Sequence, residues 1–407
     1  MRKRGVDALA RFEKLVGHRV INDIKERVKR LEGKHVVFIN STYQGGGVAE
    51  MLNSIIPLFN MMGIKVGWRV LHGNNDFYRV TKQFHNGLQG ENVSVSKEKI
   101  SLYRQTNERF SLFSHFDHDL VIVHDPQPLP LIDFYPKVQP WIFRLHMDIS
   151  SPDTQTWRHL SEYMKKYDHI IVSKEDYINP DLMVPHSIFN PCIDPFSTKN
   201  APMTQKKVSE YLEKYDIDED KPIISQISRF DKWKDPLGVI KVFEKVRKEI
   251  NCQLVLLGSF ATDDPEGQEV YDKVRRVVRE SNFRHDINVI LVNSDILVNA
   301  VQRASSVVIQ KSIREGFGLT VAEALFKGTP VVASKVGGIP LQLIHGVNGY
   351  LHEPDDITGF SHSILKILHD EELAKSFSEA GIEHIEKRFL VLQLMFNYLS
   401  LFESYLF

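Results

Sequence analysis

The sequence is poor in cysteine, with only Cys192 and Cys252 among its 407 residues. The two do not show metal-ligand spacing, and one pair is too few for a disulfide framework. This scarcity fits a reducing compartment, so we expect a cytoplasmic protein. An excess of charge of either sign is also missing, since 51 Lys and Arg nearly cancel 52 Asp and Glu. We therefore expect neither nucleic acid nor an anionic membrane as a partner, and local groups must bind any anionic ligand.

Long apolar runs are missing as well. The N-terminal stretch "MRKRGVDALARFEKLVGHRV" begins basic but has no unbroken apolar segment and no small-residue cleavage site, which is not the pattern of a signal peptide. No apolar stretch reaches the roughly 18–20 residues of a membrane span. Polar residues interrupt the most apolar late segment, "FLVLQLMFNYLSLFESYLF". We expect this segment to be an amphipathic or buried helix and the chain to have no membrane partner.

The sequence does have the composition of a well-packed protein, with 42% hydrophobic and 25% charged residues. Its length suits two domains of roughly 150–200 residues each. Residues 1–33 show helical periodicity, and strand-like and helix-like runs then alternate, a pattern that favours parallel sheets covered on both faces. The predicted strands are "HVVFIN", "VGWRVLH", "LVIVHD", "PWIFRLH" and "HIIVS" in the first half, and "PIISQIS", "CQLVLLG", "INVILV", "SSVVIQKS", "TPVVAS" and "GYLHE" in the second.

A linker-like stretch, "FNPCIDPFSTKNAPMTQKK" at residues 189–207, separates the two series of strands. It carries three prolines and no apolar periodicity. We place the domain boundary there, which gives a first domain over residues 1–200 and a second over 201–387, followed by the final helix at 388–407. Each half is predicted to be a doubly wound α/β domain, whose ligands lie at the carboxyl ends of the strands.

Three consecutive glycines follow the first predicted strand in "STYQGGGVAEML", residues 41–52. The segment lacks the spaced third glycine of a dinucleotide fingerprint and the G-K-[ST] ending of a nucleoside-triphosphate loop. A strand, a glycine loop and a helix start still place free N–H groups where anions bind. Gly46 and Gly47 therefore belong either to an anion site or to a tight strand-to-helix turn.

The second half carries a basic loop in "SQISRFDKWKDP", residues 225–236. Arg229 and Lys234 follow a buried strand, where a forked guanidinium and a flexible ammonium can converge on a diphosphate. Ordinary surface charges after a strand would give the same pattern.

A stronger signal lies in "REGFGLTVAEALFKGTPVVAS", residues 314–334. Glu315 precedes a glycine turn at Gly316 and Gly318, and the amides of the next helix, from Phe317 to Thr320, are predicted to face an anion. Glu323 lies about one turn inside this helix among apolar neighbours, where an unpaired carboxylate is costly. This setting favours a functional carboxylate over a solvated helix face.

The segment "EGFGLTVAEAL" resembles the E-x7-E signature of retaining family-4 glycosyltransferases, and "SRFDKWKD", "GTPVVASKVGGIP" and "GVNGYLHEPDD" support the resemblance in the expected order. The resemblance implies the GT-B fold, in which two Rossmann-like α/β domains face each other across a cleft and a C-terminal helix packs back on the first domain. In the first half, "STYQGGGVAEML", "VTKQFHNGLQG", "VIVHDPQPLPLI" and "FRLHMDISSPDTQTW" are similar to the trehalose glycosyltransferring synthases and their relatives, the retaining trehalose phosphorylases.

The resemblance also implies roles for individual residues. Arg229 and Lys234 would hold the donor diphosphate with the amides of Leu319 and Thr320, because preorganised donors stabilise the charge that grows on a leaving diphosphate. Glu323 would accept the ribose hydroxyls, and Glu315 would border the donor sugar. His146, at a strand end, would contact the donor sugar. The implied catalytic set is His146, Glu315, Arg229 and Lys234, and the implied donor-binding set adds Gly46, Gly47, Gly316, Phe317, Gly318, Leu319, Thr320 and Glu323.

Four further polar residues end or closely follow two of the predicted strands, "LVIVHD" and "PWIFRLH". They are His124, Asp125, Gln127 and Asp148. We interpret them as acceptor-side candidates, although "HDPQP" is equally compatible with a capped turn. The implied reaction joins the glucose of UDP- or ADP-glucose to free glucose, giving α,α-trehalose and a nucleoside diphosphate.

Three alternatives stay open: a retaining trehalose phosphorylase, a catalytically silent sugar-nucleotide-binding regulator and, more weakly, a transferase for lipid acceptors. No Asp-x-Asp metal motif occurs where a divalent ion would bridge a diphosphate, so we expect no tightly bound metal or cofactor. Stimulation by Mg²⁺, the donor base and a homodimeric state are left open.

Overall fold

A computed structural model describes residues 2–44, 46–260 and 266–407, with side chains from residue 9 onward. The chain divides into two compact units. The first contains Met1–Pro191 and Val391–Phe407, and the second contains Cys192–Ala261 and Glu266–Leu390. The sequence placed these divisions at 200/201 and 387/388.

The first unit begins with two helices and continues as alternating strands and helices. Its helices up to the boundary are α1 (Arg2–Val16), α2 (His18–Arg30), α3 (Gly47–Met62), α4 (Asn75–Leu88), α5 (Lys97–Phe113) and α6 (Thr154–Met164). Its strands are β1 (His35–Asn40), β2 (Lys65–Val70), β3 (Leu120–His124), β4 (Trp141–Arg144), β5 (His169–Val172) and β6 (His186–Ile188).

The first sheet has the order β2-β1-β3-β4-β5-β6, and every pairing is parallel. The strand order reverses at β1, which lies between β2 and β3. In open α/β sheets, ligands bind outside the carboxyl ends of the strands at such a reversal. The loops that follow β1 and β3 therefore occupy the position where this unit is expected to bind a ligand.

The second unit repeats the architecture. Its helices are α7 (Gln205–Lys214), α8 (Pro236–Arg247), α9 (Gly267–Glu280), α10 (Asp295–Ala304), α11 (Leu319–Phe326), α12 (Ile339–Gln342), α13 (Ile357–His369) and α14 (Glu371–Arg388). Its strands are β7 (Ile223–Ile227), β8 (Gln253–Gly258), β9 (Ile287–Leu291), β10 (Val307–Gln310), β11 (Val331–Ser334) and β12 (Gly349–His352).

The second sheet has the order β12-β11-β10-β7-β8-β9 and is also parallel throughout. Numbered within the unit, this is the Rossmann order 3-2-1-4-5-6. Its reversal lies between β7 and β10. The basic loop after β7 and the loop that carries Glu315 after β10 therefore start side by side.

Alternating side chains of the central strands supply the cores on the two sheet faces. In the first unit, Val37 and Ile39 of β1 join a buried cluster with side chains of α4, α5 and α6. The opposite face carries Phe38, whose ring meets Tyr398 edge-on at 5.4 Å. In the second unit one buried cluster contains side chains of α8 and α13, and another contains side chains of α7 and α10.

The C-terminal helix α15 (Val391–Leu406) belongs to the first unit and packs on α2 and α3. Its apolar face buries Leu394, Tyr398 and Phe402, and Arg27 of α2 donates to Glu403 at 2.7 Å. Burial of this face explains the apolar composition of the segment. Among the described residues, no helix is long and apolar enough to cross a membrane.

The predicted α/β fold class is confirmed, since each unit is a parallel sheet of six strands. Each of the predicted strand runs overlaps a strand of the structure. The sequence missed β6, which has three residues, "HSI", and no buried position. A short edge strand of this kind has no apolar alternation to reveal it.

Candidate functional site

The glycine loop of the first unit follows β1. Asn40, the last residue of β1, donates to the carbonyl of Thr42 at 2.5 Å and accepts from the indole of Trp68 at 2.8 Å, which fixes the start of the loop. Gly46 precedes α3 with φ 111° and ψ 158°, and no side chain caps the helix. This φ favours glycine. Gly47 is the first helical residue, and the amides at this helix start are therefore open to an anion. Gly45 lies outside the described residues.

Two histidines lie at the carboxyl ends of neighbouring strands. His124 ends β3, and His146 follows β4 by two residues. Because β3 and β4 pair in parallel, with His124 opposite Arg144, the two rings come together. The Nδ1 of His124 lies 2.9 Å from the Nε2 of His146. Their rings stack with centroids 5.2 Å apart and planes inclined by 11°.

Both histidines are held neutral by their surroundings. Burial, reinforced by the positive charge of Arg144, holds the pKa of His124 well below its usual value. Burial, Arg144 and then His124 have the same effect on the pKa of His146. Arg144 is itself fully buried. Its guanidinium carbon lies 5.2 Å from the ring centroid of Tyr398 in α15, and its guanidinium donates to the Tyr398 hydroxyl. The C-terminal helix thus contacts Arg144, whose charge reinforces the effect of burial on both histidine pKa values.

The four acceptor-side candidates differ in their burial and in the hydrogen bonds that they make. His124 is fully buried, so its side chain is not available for direct contact with a ligand. Asp125 adopts φ 63°, and its carboxylate accepts from the backbone N–H of His146 at 3.0 Å. Asp148 accepts from the backbone and the hydroxyl of Ser150, at 2.9 and 2.6 Å.

Gln127, the fourth candidate, is half-buried. Its backbone carbonyl accepts from the buried Asn107 at 3.1 Å. The "HDPQP" segment is thus a loop fixed by internal hydrogen bonds, with Asp125 supporting the backbone of His146.

In the second unit, Asp231 organises the basic loop after β7. Asp231 is buried and accepts from the backbone N–H of Trp233 at 2.9 Å, which caps the 3₁₀ turn Lys232–Lys234. Its other carboxylate oxygen lies 3.9 Å from the guanidinium of Arg229. The buried carboxylate of Asp231 therefore contacts both Arg229 and the turn that carries Lys234.

Lys234 and Glu315 meet in an ion pair at the sheet reversal. The ammonium of Lys234 lies 2.5 Å from Oε2 of Glu315. The same oxygen also accepts from Ser312 at 3.2 Å and from Gln310 at 3.5 Å. A carboxylate that is 8% exposed thus has three donors. Lys234, expected at the diphosphate, and Glu315, expected at the sugar, are therefore joined by a direct ion pair.

A second ion pair braces the same two loops. Lys311, next to the end of β10, is buried and pairs with Asp235, which caps α8 by accepting from Gly238 at 2.9 Å. The backbone N–H of Ile313 donates to the carbonyl of Trp233 at 2.8 Å. The loop of Lys234 and the loop of Glu315 are therefore joined at several points.

The glycine turn before α11 is locked by its carbonyl groups. The carbonyl of Gly316 accepts from the backbone of Gly338 at 3.1 Å, and that of Phe317 accepts from Gln342 at 2.5 Å. Gly318 has φ 82° and no side chain caps the helix. A side chain at Gly338 would lie 2.6 Å from the Phe317 ring.

This locked turn leaves the first amides of α11, from Leu319, without a side-chain cap. The hydroxyl of Thr320 donates a hydrogen bond to the carbonyl of Ile227, at the end of β7, at 3.1 Å. Phe317 is 4% exposed, and its ring packs on Phe389 at 5.6 Å. Only the backbone of Phe317 is therefore available for contact with a ligand.

Glu323 is buried inside α11 with 3% exposure. Its carboxylate lies 3.6 Å from the ammonium of Lys199 and 3.4 Å from the amide of Gln302. The carboxylate therefore has polar neighbours that the apolar local sequence did not reveal.

Sequence reasoning missed several residues that build these clusters. Asp231 was present in the motif, and its position before a short turn is a capping signal that could have found it. Gln310 ends the buried strand β10 and Ser312 lies two residues after it, a position where site residues often occur. Lys199 lies in the stretch interpreted as a featureless linker, and no local pattern connects it with Glu323. Within the described residues, no cluster of three His, Cys, Asp or Glu side chains has a metal-binding arrangement.

Comparisons with known proteins give matches over both halves of the chain. Residues 38–179 match the family described as trehalose synthase, N-terminal domain, and residues 207–384 match the family described as glycosyl transferases group 1. The chain is 40% identical to the trehalose synthase of Pyrococcus horikoshii, with 98% of this chain and 97% of the relative covered. It is 27% identical to the trehalose phosphorylase of Pleurotus pulmonarius, over 93% of this chain and 58% of that protein.

Among solved structures, the fold is similar to that of an α,α-trehalose-phosphate synthase (UDP-forming) from Burkholderia xenovorans in complex with glucose-6-phosphate. The TM-score is 0.74 at 14% identity, over 91% of this chain and 100% of that chain.

Proposed function

The chain belongs to the trehalose synthase family of GT-B glycosyltransferases, and from this premise we propose that it is a retaining glucosyltransferase. The proposed reaction joins the glucose of a nucleoside-diphosphate-glucose to free glucose and yields α,α-trehalose and a nucleoside diphosphate. The second unit is proposed to bind the donor, and the first to supply His146 and the acceptor-side groups. The observation that carries the proposal is the joined cluster of Arg229, Lys234, Glu315 and the uncapped start of α11 at the reversal of the second sheet.

The donor cluster has the chemistry that a leaving diphosphate requires. Arg229 and Lys234 supply positive charge, and the start of α11 supplies the positive end of a helix dipole. Lys234 is oriented by Glu315, whose Oε2 lies 2.5 Å from its ammonium. Glu323 is proposed to accept hydrogen bonds from the ribose hydroxyls of the donor. A carboxylate accepts such hydrogen bonds well, and inorganic phosphate has no ribose to make them.

The acceptor-side groups favour an uncharged sugar. The Burkholderia xenovorans protein of similar fold was solved with glucose-6-phosphate. In this chain Asp125 and Asp148 follow β3 and β4, and carboxylates accept hydrogen bonds from sugar hydroxyls but repel a phosphate. Free glucose is therefore the proposed acceptor.

Retention is proposed to proceed by substitution on one face of the sugar, with the leaving phosphate accepting the acceptor proton. Double displacement needs a nucleophile and an acid/base group about 5 Å apart. Glu315, the carboxylate assigned to the sugar, already has three donors on Oε2, which lowers its nucleophilicity. We expect no covalent glucosyl-enzyme. Detection of a trapped glucosyl adduct by mass spectrometry would overturn this part of the proposal.

The test of the proposed donor is an incubation of the protein with UDP-, ADP- or GDP-glucose and free glucose. We expect trehalose and the matching nucleoside diphosphate in equal amounts with at least one donor. The Glu323→Gln variant tests the ribose assignment, because it keeps the shape of the side chain while removing the charge proposed to hold the ribose.

A trehalose phosphorylase is the second candidate, favoured by the similarity to the Pleurotus pulmonarius enzyme. It would release glucose 1-phosphate from trehalose with inorganic phosphate and no nucleotide. Incubation of the protein with trehalose and phosphate, followed by an assay for glucose 1-phosphate, separates the two reactions. Phosphate-dependent release without nucleotide-dependent synthesis would replace the first proposal by the second.

A further inference from the structure

The histidine pair of the first unit shares a single hydrogen bond. The Nδ1 of His124 and the Nε2 of His146 are 2.9 Å apart, so one of these nitrogens donates and the other accepts. Both rings have lowered pKa values, and a doubly protonated pair would place two donors against each other beside Arg144. Two neutral arrangements remain, and they differ in which histidine carries the shared proton.

The burial of His124 distinguishes these arrangements. Its side chain is fully buried, its ring lies 5.4 Å from that of Phe38, and its Nε2 has no hydrogen-bond partner among the described residues. If His146 donated, the proton of His124 would reside on this Nε2, which would be a buried N–H without an acceptor. If His124 donates through Nδ1, its Nε2 carries only a lone pair. Burying a nitrogen lone pair without a partner costs less free energy than burying an N–H without an acceptor.

The geometry points to His124 as a positioning residue that fixes the tautomer of His146. We propose that His124 donates its Nδ1 proton to Nε2 of His146 and thereby places the His146 proton on Nδ1. His146, which is half-buried, then offers an N–H donor to a ligand oxygen and has no free acceptor nitrogen. The carboxylate of Asp125 holds the backbone of His146 at 3.0 Å, so the ring is fixed at both its backbone and its Nε2 edge.

This assignment changes the chemistry available at His146. A ring whose Nε2 accepts from His124 cannot serve as a general base through that nitrogen, and its other nitrogen already carries a proton. His146 therefore acts as a neutral hydrogen-bond donor to a hydroxyl or ring oxygen of a sugar. The effect on glucosyl transfer rests on the proposed function, whereas the tautomer does not.

Long-range ¹H–¹⁵N correlation spectra of the full chain, labelled with ¹⁵N-histidine, test the tautomer directly. The His146 resonances are identified by their loss in the His146→Gln variant. We expect an unprotonated Nε2 and a protonated Nδ1 for His146 at neutral pH and without substrate. A protonated Nε2 on His146 would overturn the proposal, whatever reaction the protein catalyses.

Two substitutions at His124 separate positioning from simple packing. His124→Phe fills the space but cannot donate, and we expect His146 to shift toward the Nε2–H tautomer. His124→Asn places an amide near the position of Nδ1, and we expect it to keep the Nδ1–H tautomer as the major form. An unchanged tautomer in His124→Phe would refute the positioning role. The wild-type spectrum remains decisive if either variant fails to fold.

Kinetics supply a second measurement that depends on the proposed function. We expect His124→Phe to lower kcat/KM for nucleotide-glucose about tenfold while the Kd of the free nucleoside diphosphate stays within about twofold. His124→Asn should recover most of the loss. Equal weakening of nucleoside diphosphate binding in His124→Phe would indicate a general structural defect and contradict the assignment.

Discussion

The ion pair between Lys234 and Glu315 can be tested by removing each partner alone and both together. Lys234→Met keeps the length of the side chain without its charge, and Glu315→Gln keeps the shape of the carboxylate without its charge. The side chains are 16% and 9% exposed, and their charged atoms are 2.5 Å apart. Each single substitution therefore leaves a charge that is mostly shielded from water.

The size of the effect follows from this burial. Coulomb attraction at this separation is roughly 7 kcal/mol at an effective dielectric constant of about 20. Desolvation offsets much of it, and removal of one partner of a buried pair typically costs about 3–5 kcal/mol. In Lys234→Met, Ser312 and Gln310 still donate to Glu315, and in Glu315→Gln the amide oxygen can still accept from Lys234. We therefore expect the lower end, about 3 kcal/mol for each single variant.

The double variant should lose little more than either single variant, since both charges are then gone. We expect a coupling energy of about 2–3 kcal/mol from the double-mutant cycle. The unfolding of the second unit can be followed by ¹⁹F NMR of 5-fluorotryptophan in urea. Trp233 lies in the second unit, whereas the other three tryptophans of the chain lie in the first.

A coupling energy below about 0.5 kcal/mol, the range of additive distant sites, would refute the account of this pair. It would mean that Lys234 and Glu315 do not interact in solution as they do in the structure. A Lys232→Met variant is the matched control, because Lys232 is exposed and lies in the same turn. It should change the free energy of unfolding by less than about 1 kcal/mol.

Three further predictions concern the donor groups and acid stability. Arg229→Ala should slow glycosyl transfer by about two orders of magnitude, as expected for one lost contact to transition-state charge; near-wild-type turnover would contradict this role. Glu323→Ala should mainly weaken nucleotide-glucose binding, and an unchanged Kd by calorimetry would remove the ribose assignment. Burial lowers the pKa of His118 in the folded protein to about 4. As the pH falls, His118 is therefore protonated in the unfolded chain before it is protonated in the folded protein. Stability is lost as the pH falls from about 6.5 toward 4. His118→Phe should reduce this loss by at most about 3 kcal/mol in urea titrations at pH 7 and pH 4.5, and an unchanged pH dependence would show that His118 does not contribute.

The sequence was informative wherever one short segment carries the whole signal. Strands buried on both faces, such as β3 and β8, are continuous apolar runs and were found for that reason. The glycine turn before α11 and the buried Glu323 lie in one segment with a recognisable spacing. The same holds for Arg229 and Lys234 in the basic loop.

Contacts between distant segments could not be read in this way. The pairing of Glu323 with Lys199 joins α11 to the stretch before α7, and no periodicity or motif links them. The contact between His124 and His146 depends on the parallel register of β3 and β4, which is set by the whole sheet. Sequence reasoning placed both histidines at strand ends and interpreted His124 as an acceptor-side candidate. Its burial could not be predicted, because it depends on packing by Phe38 and its neighbours.

The most direct test of the proposed activity uses nucleoside-diphosphate-glucose labelled with ¹³C at the anomeric carbon of the sugar, together with unlabelled glucose. The account predicts α,α-trehalose in which one of the two anomeric carbons is labelled, with one nucleoside diphosphate released for each trehalose formed. Absence of nucleotide-dependent product with UDP-, ADP- and GDP-glucose, or a labelled carbon in the β configuration, would contradict it.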